Sequence, residues 1–261
     1  MNIFRLITPL VDKLKIFRYR YHSLLKKFPP NLAVIKKKVD GITFLLDLRE
    51  EVDFALYIDP DYNRKELSFF EEHLSATGTF LDIGANIGFF SLMVAKSFPL
   101  AQIIAFEPEP FSVGGIESNI KLNGLSNIRI EKYAISSHSG TVSFRVNKSG
   151  NRGGSGIDIK NDKEVNEIIM VPCKKLQDAL NECHISTVDS MKIDIEGHEY
   201  NALNTFFSEA PRTLWPTAII SEAFGYSIKP GGESVIQFLI EKGYDLVDHT
   251  DYNFFFILKK V

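Results

Sequence analysis

The 261-residue sequence predicts an α/β fold with a doubly wound, mostly parallel sheet. From residue 79 onward, short apolar segments typical of buried strands alternate with segments of helical periodicity. A glycine-containing turn joins the first of these strands, at 79–85, to a helix at 87–97, as in many ligand-binding parallel sheets. The last two apolar segments flank a polar turn at 251–253, which predicts a closing antiparallel hairpin.

The first 60 residues are predicted to form a basic helical arm and a lead-in strand, ahead of a main domain at 61–261. Thr8 and Pro9 are a favourable helix start, and apolar residues recur at helical spacing up to residue 25. An apolar segment at 41–48 predicts the strand. The first 38 residues carry ten Lys and Arg against one Asp, so the remaining chain has a net charge of −12.

The basic arm has lysines and arginines between the apolar residues of its stripe, a pattern typical of interfacial helices. It is expected either to contact the membrane surface or to pack on the domain or on a second copy of the chain, and packing is favoured. Nucleic acid is not expected as a partner, because no recognisable binding motif is present and the main domain is acidic.

The main domain begins with a helix at 63–74. Its strands are rich in β-branched and aromatic residues, and its helices repeat apolar residues every three to four positions. A glycine-rich basic segment at 147–163 shows neither pattern and is expected to be a loop. After 79–85 and 87–97, the predicted elements are strand 101–108, helix 111–122, strands 128–136 and 141–146, strand 190–197, helix 199–208, strand 217–224, helix 233–242, and the hairpin strands 244–249 and 254–260.

The cysteine content and the hydropathy pattern predict a cytoplasmic protein, which would be peripheral to the inner face of the membrane if the arm binds there. Cys173 and Cys183 form no disulfide framework and no zinc-binding pattern, which favours a reducing compartment. No apolar run reaches the roughly 18 residues that a membrane-spanning helix needs, and no signal peptide is recognisable.

The glycine turn at residues 84–88 reads G-x-N-x-G, with Asn86 between Gly84 and Gly88. A dinucleotide-binding turn needs G-x-G-x-x-G, so a nicotinamide-dependent reductase has little support. A phosphate-binding loop ending in Gly-Lys-Ser/Thr is absent too. Asp82, directly before the turn, would repel a pyrophosphate but would suit a ligand that carries positive charge.

S-adenosylmethionine is such a ligand, because its amino group and its sulfonium are both cationic. Its ribose needs an acid at the end of the second strand, where a carboxylate can accept hydrogen bonds from both hydroxyls. Glu107 occupies that position, 19 residues after Gly88. The ends of adjacent parallel strands lie side by side at the switch point of such a sheet, so Asp82 and Glu107 are expected to share one crevice.

Four stretches resemble the successive motifs of the FkbM family of S-adenosylmethionine-dependent methyltransferases: FLDIGANIGFFSL, AFEPEPFSVGGIESNIKLN, EKYAIS and MKIDIEGHEYNAL. The resemblance runs from about residue 66 to the C-terminus. It implies a Rossmann-like class I methyltransferase fold with a seven-stranded sheet whose last strands form an antiparallel hairpin. It also implies O-methylation of a sugar or another natural-product hydroxyl.

The resemblance carries particular site residues over to this sequence. It places the methionine end of the cofactor at Asp82, Gly84, Asn86 and Gly88, and the ribose at Glu107. The residues implied around the adenosine are Pro108, Asn119 and the Tyr133–Ala134–Ile135 segment.

The second acidic motif, KIDIEGHE, ends a predicted strand and begins a helix. Asp194 and Glu196 alternate along the strand and therefore share a face, at the functional edge of the sheet. We expect either of them to orient or deprotonate the acceptor hydroxyl, with His198 as a further candidate base, and Asp194 also to contact the cofactor. Glu199 is equally able to cap the helix.

Glu222 ends the next strand and is expected to face the same crevice. Asp194 and Glu222 could hold a divalent cation through oxygen ligands, but two ligands are too few, so no metal site is predicted. The glycine-rich stretch at 147–156 is expected to be a solvated connection, with a flap over the acceptor as the alternative; Arg152 and Ser155 would then supply polar contacts.

Two functions of different classes follow from the sequence. The favoured one is an S-adenosylmethionine-dependent O-methyltransferase acting on a hydroxyl of a sugar, glycan or related small molecule. The alternative is a non-catalytic module that keeps the fold, and with it the cofactor, while the arm binds a membrane or a partner. The intact acidic motif at 194–199 favours the enzyme.

Overall fold

The computed structural model describes residues 22–157, 166–223 and 234–259. The predicted helix at 9–25 lies outside these ranges except for its end, where residues 22–25 are helical. The ring of His22 stacks on Phe54 with 4.9 Å between centroids, and Leu25 is buried. The described end of the arm therefore packs on the domain, while its predicted membrane or subunit contacts fall outside the described residues.

The helices and strands are numbered here in chain order. They are α1 (Pro30–Ala33), β1 (Val34–Val39), β2 (Ile42–Asp47), α2 (Glu51–Ile58), α3 (Arg64–His73), β3 (Thr79–Ile83), α4 (Phe89–Ser97), β4 (Gln102–Phe106), α5 (Pro110–Asn123), β5 (Ile128–Glu131), β6 (Ala134–Ile135), β7 (Gly140–Asn147), β8 (Gly156–Ile157), β9 (Asn166–Lys174), α6 (Leu176–Glu182), β10 (Ser190–Ile193), α7 (Glu199–Glu209), β11 (Ala218–Glu222), α8 (Val235–Glu241), β12 (Tyr244–His249) and β13 (Asn253–Leu258).

The main sheet has seven strands in the order β12-β13-β11-β10-β3-β4-β5. Five neighbouring strands pair in parallel, in the order β11, β10, β3, β4 and β5. The strand β13 is antiparallel to both of its neighbours. The predicted fold class, a doubly wound and mostly parallel sheet closed by a C-terminal hairpin, is therefore confirmed.

Two apolar cores cover the two faces of this sheet, because alternate strand residues point to opposite sides. Phe80 of β3 packs into one core with Phe70 of α3 and Phe90 of α4. Leu81, the next residue, packs into the other core with Phe206 of α7. This layering leaves the carboxyl ends of the parallel strands free to form a site.

A second sheet, of order β6-β9-β7-β8, corrects the strand predicted at 128–136. That segment splits: β5 stays in the main sheet, whereas β6 leaves it to pair in parallel with β9. β9 itself was not predicted, because Pro172 argues against a strand when read alone. The loop predicted at 147–163 is also shortened by β8.

The lead-in segment completes one of the cores. Phe44 and Leu46 of β2 are fully buried, and the ring of Phe44 lies 5.9 Å from that of Phe89. The short β1 and α2 beside β2 were not predicted; β1 carries three consecutive lysines, and α2 is only two turns long. The domain boundary at residue 60 stays a prediction, although β2 shares the core of the main domain.

The amides of the fully buried Asn119 and the half-buried Asn123 attach β2 to α5. Asn119 accepts a hydrogen bond from the N–H of Leu45 at 2.8 Å and donates to the carbonyl of Ile87 at 3.2 Å. Asn123 accepts one from the N–H of Thr43 at 2.7 Å. These bonds satisfy the backbone of a strand edge that would otherwise be buried without partners. None of the helices in the described ranges has the length and apolarity needed to cross a membrane.

Replacing Asn119 with Ala is expected to lower the free energy of unfolding by about 1–3 kcal/mol, because the Leu45 N–H and the Ile87 carbonyl lose their partners inside the protein. Urea denaturation measures the change. The control is Asn181→Ala, since Asn181 is exposed and its side chain bonds to Gln177 on the surface. Equal losses in the two variants would contradict the structural role of Asn119.

Candidate active site

The turn between β3 and α4 brings the ends of β3 and β10 into backbone contact. Gly84 has a φ of 81°, and a Cβ added there would lie 1.8 Å from the carbonyl oxygen of Asp194. Only glycine permits this approach. Asn86 also has a left-handed conformation, with a φ of 50°, and Gly88 is the N-cap of α4.

Asp82 lies beneath this turn with a side chain only 1% exposed. One of its carboxylate oxygens accepts hydrogen bonds from the N–H and the hydroxyl of Ser91, at 3.0 and 2.6 Å. The other oxygen is buried and has no hydrogen-bond partner among the described residues. The predicted contact with the cofactor therefore stays a prediction, while the structure shows Asp82 fastening α4 to β3.

Glu107, at the end of β4, reaches the same turn. Its two carboxylate oxygens accept hydrogen bonds from the N–H groups of Asn86 and Glu109, each at 2.9 Å. Burial raises the pKa of Glu107 to about 8. Each oxygen keeps a second lone pair, so the carboxylate remains able to accept from a ligand's hydroxyls.

A first cleft, enclosing about 520 Å³, opens beside Glu107. Gly84, Asn86, Pro108, Ala134 and Asp194, all predicted cofactor residues, line it together with Glu107. The sequence predicts only part of its apolar lining, because the rest comes from residues of the second sheet. The additional apolar lining residues are Phe144 and Ile157, beside the expected Tyr133 and Ile135.

Asn119 is not brought to the first cleft. The residue is fully buried, and its amide is engaged by the backbones of β2 and Ile87 as described above. Its contact with an adenosine, which the resemblance implies, stays a prediction.

A second cleft, enclosing about 740 Å³, adjoins the first. The two clefts share Gly84, Asn86, Gly153 and Asp194. The second cleft is more polar, with carboxyl groups from β11 and from the turn after β10. Its remaining lining includes Tyr62, Asn63, Phe89, Phe90, Lys192, Glu196, Glu222 and Asn253.

Lys192, which the sequence reading missed, carries the positive charge of this cleft. Its side chain is only 6% exposed, and its ammonium lies 2.8 Å from a carboxylate oxygen of Asp194 and 5.1 Å from the ring centre of Phe90. Burial acts to lower the pKa of Lys192, but Asp194 and Asp82 raise it above its ordinary value. The sequence pattern does indicate this position: in the strand predicted at 190–197, Lys192 is two residues before Asp194 and therefore lies on the same face.

Asp194 and Glu222 lie together at the cleft, and each shifts the pKa of the other. Burial acts to raise the pKa of Asp194, but Lys192 and a hydrogen bond with Glu222 lower it below its ordinary value. Burial, reinforced by the negative charge of Asp194, raises the pKa of Glu222. Asp194 is thus the ionised member, with its side chain 30% exposed to the cleft, and Glu222 holds the proton.

Glu196 occupies an unusual backbone conformation, with a φ of 59°, and Gly197 follows with a φ of 97°. Left-handed backbone is costly for a residue with a side chain, and such strain is concentrated at functional sites. Burial, and then the charges of Asp194 and Glu199, raise the pKa of Glu196 to about 8. The turn thus presents to the second cleft a carboxyl group that binds its proton firmly.

Glu199 and His198 play local roles after this turn. A carboxylate oxygen of Glu199 accepts hydrogen bonds from the N–H groups of Ile195 and Gly197, at 2.8 and 3.2 Å. These bonds hold the turn ahead of α7 and do not cap the helix itself. His198 is buried with its Nε2 atom 3.1 Å from the hydroxyl of Ser136. It lines neither of the two clefts as the described residues form them, so the structure does not bring this predicted base to the other candidates.

Carboxylate oxygens of Asp194, Glu199 and Glu222 lie within 4.8 Å of one another. Such a cluster can attract a divalent cation, but here the Lys192 ammonium already contacts it, and Glu199 is engaged by two backbone N–H groups. The donor set therefore fits an internally balanced charge network, and we assign no metal to it.

Comparison with known proteins gives a consistent result. The family model of the methyltransferase FkbM domain matches residues 82–246. Methyltransferase sdnD from Sordaria araneosa is 28% identical over 195 residues, which cover 64% of this chain and 73% of that protein. Methyltransferase 1 from Beauveria bassiana is 26% identical over 140 residues, which cover 47% of this chain and 56% of that protein.

Among solved structures, the methyltransferase FkbM from Methylobacillus flagellatus KT aligns with a TM-score of 0.45 at 14% sequence identity. The alignment covers 78% of this chain and 54% of that chain, so the chain spans about half of that protein's length.

Replacing Lys192 with Met is expected to lower the free energy of unfolding by about 3–5 kcal/mol, because the variant leaves buried carboxylates without their cation. Lys121→Met is the matched control, since Lys121 is exposed on α5, and it should change stability by about 0.5 kcal/mol or less. Urea denaturation of both variants measures the difference. A loss in K192M no larger than that in the control would contradict the buried charge network.

Proposed function

The chain belongs to the family of methyltransferases defined by the FkbM domain, and we propose that it transfers a methyl group from S-adenosylmethionine to a hydroxyl of a sugar, glycan or related natural product. The observation that carries this proposal is the meeting of two clefts at Gly84 and Asp194. One cleft has the apolar walls and the carboxylate that a nucleoside requires. The other has the carboxyl groups that a hydroxylated acceptor requires.

The residues of the first cleft fit S-adenosylmethionine. When bound, this cofactor supplies an electrophilic methyl group on a positively charged sulfur. Glu107 would accept hydrogen bonds from the ribose hydroxyls, and the apolar residues Tyr133 and Ile135 would contact the base. The ionised carboxylate of Asp194, where the clefts meet, favours a ligand with positive charge at that point.

The second cleft assigns different tasks to its carboxyl groups. Asp194 is held ionised by Lys192, which makes it a good hydrogen-bond acceptor for orienting a hydroxyl but a weak base. Glu196, with a pKa of about 8, is the better proton acceptor as the hydroxyl oxygen forms its new bond to carbon. Alignment of the reacting atoms contributes most of the rate, on the order of 7 kcal/mol or more in well-oriented systems.

The non-catalytic alternative predicts cofactor binding without turnover. Formation of S-adenosylhomocysteine in the presence of a panel of sugars and lipid-linked glycans separates the two functions. Product formation with a hydroxylated acceptor supports the enzyme. Tight cofactor binding without product from any acceptor class would support the binding module.

Replacing Glu107 with Ala is expected to weaken binding of S-adenosylmethionine and S-adenosylhomocysteine by roughly 10- to 100-fold, because the acceptor of two hydrogen bonds is lost. Isothermal titration calorimetry measures the affinity, with NAD⁺ as a ligand that should not bind.

Glu117→Ala is the control for this prediction, since Glu117 is on α5, the helix that follows Glu107, and pairs with Lys132 at the surface. Thermal melts without ligand verify that E107A is folded. Undiminished affinity in the folded E107A protein would refute the ribose role, and binding of NAD⁺ alone would refute the choice of cofactor.

The turnover rate is expected to rise with pH through about 8, because Glu196 must lose its proton before it can accept one from the acceptor. In Glu196→Gln, turnover should fall by about 10²- to 10⁴-fold and this pH dependence should disappear. The pH profile of S-adenosylhomocysteine release measures both effects. A Gln variant that keeps the wild-type rate and profile would transfer the role of base to another group.

A further inference from the structure

Residues 150–155, here called the strap, connect β7 to β8 and cross the place where the two clefts meet. Gly153 lines both clefts, Asn151 lines the second, and Ser155 lines the first. The strap contains a single 3₁₀ turn at Arg152–Gly154. It therefore forms a wall that the two clefts share, rather than the solvated connection expected from its composition.

The side chain of Arg152 holds the strap to two helix starts. The Arg152 N–H donates a hydrogen bond to Glu50 at 2.9 Å, and its Nε atom lies 3.3 Å from the same carboxylate. Its Nη1 atom lies 3.3 Å from Glu109, the N-cap of α5. The guanidinium also stacks 4.2 Å above the ring of Phe111. This arginine, with a side chain 17% exposed, thus bridges the segment before α2 and the start of α5.

The strap is pressed closely against the glycine turn of the site. A Cβ added to Gly153 would lie 2.9 Å from a methyl carbon of Val52 and 3.1 Å from the amide nitrogen of Asn86. A methyl group there would require these side chains or the strap itself to shift, so Gly153 packs closely against Val52 and Asn86. Beyond Arg152, the strap is attached through the hydrogen bond from the Glu51 N–H to the Gly150 carbonyl, at 2.9 Å, and from the Asn147 N–H to the Ser155 hydroxyl, also at 2.9 Å.

We propose that Arg152 is a positioning residue that holds the strap against Asn86 and thereby limits the rate at which the cofactor leaves the first cleft. The identity of that cofactor rests on the function proposed above. Glu109 lies two residues after Glu107, so Arg152 attaches the strap to the same helix start that presents the ribose-binding carboxylate. Loss of the Arg152 side chain removes the contacts with Glu109 and Phe111 and the ion pair with Glu50. The strap is then held less firmly, by the backbone hydrogen bond from residue 152 to Glu50 and by the bonds at its two ends.

Arginine is specifically required for this arrangement. Its planar guanidinium contacts two carboxylates and an aromatic face at once, which a lysine ammonium cannot do. Arg152→Lys should therefore restore only part of the effect of Arg152→Ala, because it keeps the charge but loses the stacking and the second carboxylate.

The test measures dissociation of S-adenosylhomocysteine from the full chain by stopped-flow displacement with excess S-adenosylmethionine. Arg152→Ala should raise the dissociation rate roughly tenfold or more, with the association rate changed by about threefold or less. Lys148→Ala is the matched control, because Lys148 lies just before the strap and pairs with Glu167 at the surface. Its dissociation rate should equal that of the wild type.

Gly153→Ala provides an independent variant, because its methyl group must displace the strap from Val52 and Asn86 without touching Arg152. It should raise the dissociation rate in the same direction, and urea denaturation without ligand shows whether either variant simply destabilises the fold. Dissociation rates within about twofold of the wild type in folded R152A or G153A would overturn the role proposed for Arg152 and the strap, and would leave the proposed function standing. Failure of the wild-type protein to bind either ligand would overturn the proposed function and this inference together.

Discussion

The close approach of two strand ends, at Gly84 and Asp194, is the constraint on which the site depends. A side chain at position 84 would occupy the place of the Asp194 carbonyl oxygen, 1.8 Å from its Cβ. Because glycine is present, the turn that reaches Glu107 and the turn that carries Glu196 share one edge of the sheet. The meeting of an apolar cleft with an acid-lined cleft is a consequence of this contact, since both clefts are lined by these two residues.

This arrangement places several acidic side chains together, and the ammonium of Lys192 offsets their mutual repulsion. Asp82 lies beside it in the register between β3 and β10, and Asp194 lies 2.8 Å from its ammonium. A buried lysine without such partners would shed its proton, and buried carboxylates without a cation would hold theirs. The network instead leaves Asp194 ionised and Glu222 protonated, so neighbouring carboxyl groups enter the cleft with different capacities to accept a hydrogen bond.

The sequence was informative where local chemistry determines position. The β3–α4 turn and the place of Glu107 followed from glycines and an acid at strand ends, and the closing hairpin followed from apolar segments around a polar turn. The surroundings of His198 and Asn119 could not be predicted from the sequence, because the direction in which a side chain points depends on contacts with residues far along the chain. Ser136 faces His198, and the backbone of β2 engages Asn119. β9 was not predicted, because Pro172 is unfavourable in a strand when it is read alone. The structure shows that β9 forms through its pairing with β6 and β7.

The segments with the weakest sequence signal also line the two clefts. The strap comes from the second sheet, and Glu50, which it contacts, comes from the lead-in segment before α2. Neither segment belongs to the seven-stranded sheet, yet they meet over the edge where its parallel strands end. The glycine turn and the acidic motif lie at the ends of the sheet's strands, whereas the strap and the lead-in segment lie outside the sheet. Substitutions in these two segments are therefore expected to change the clefts without disturbing the contact between Gly84 and Asp194.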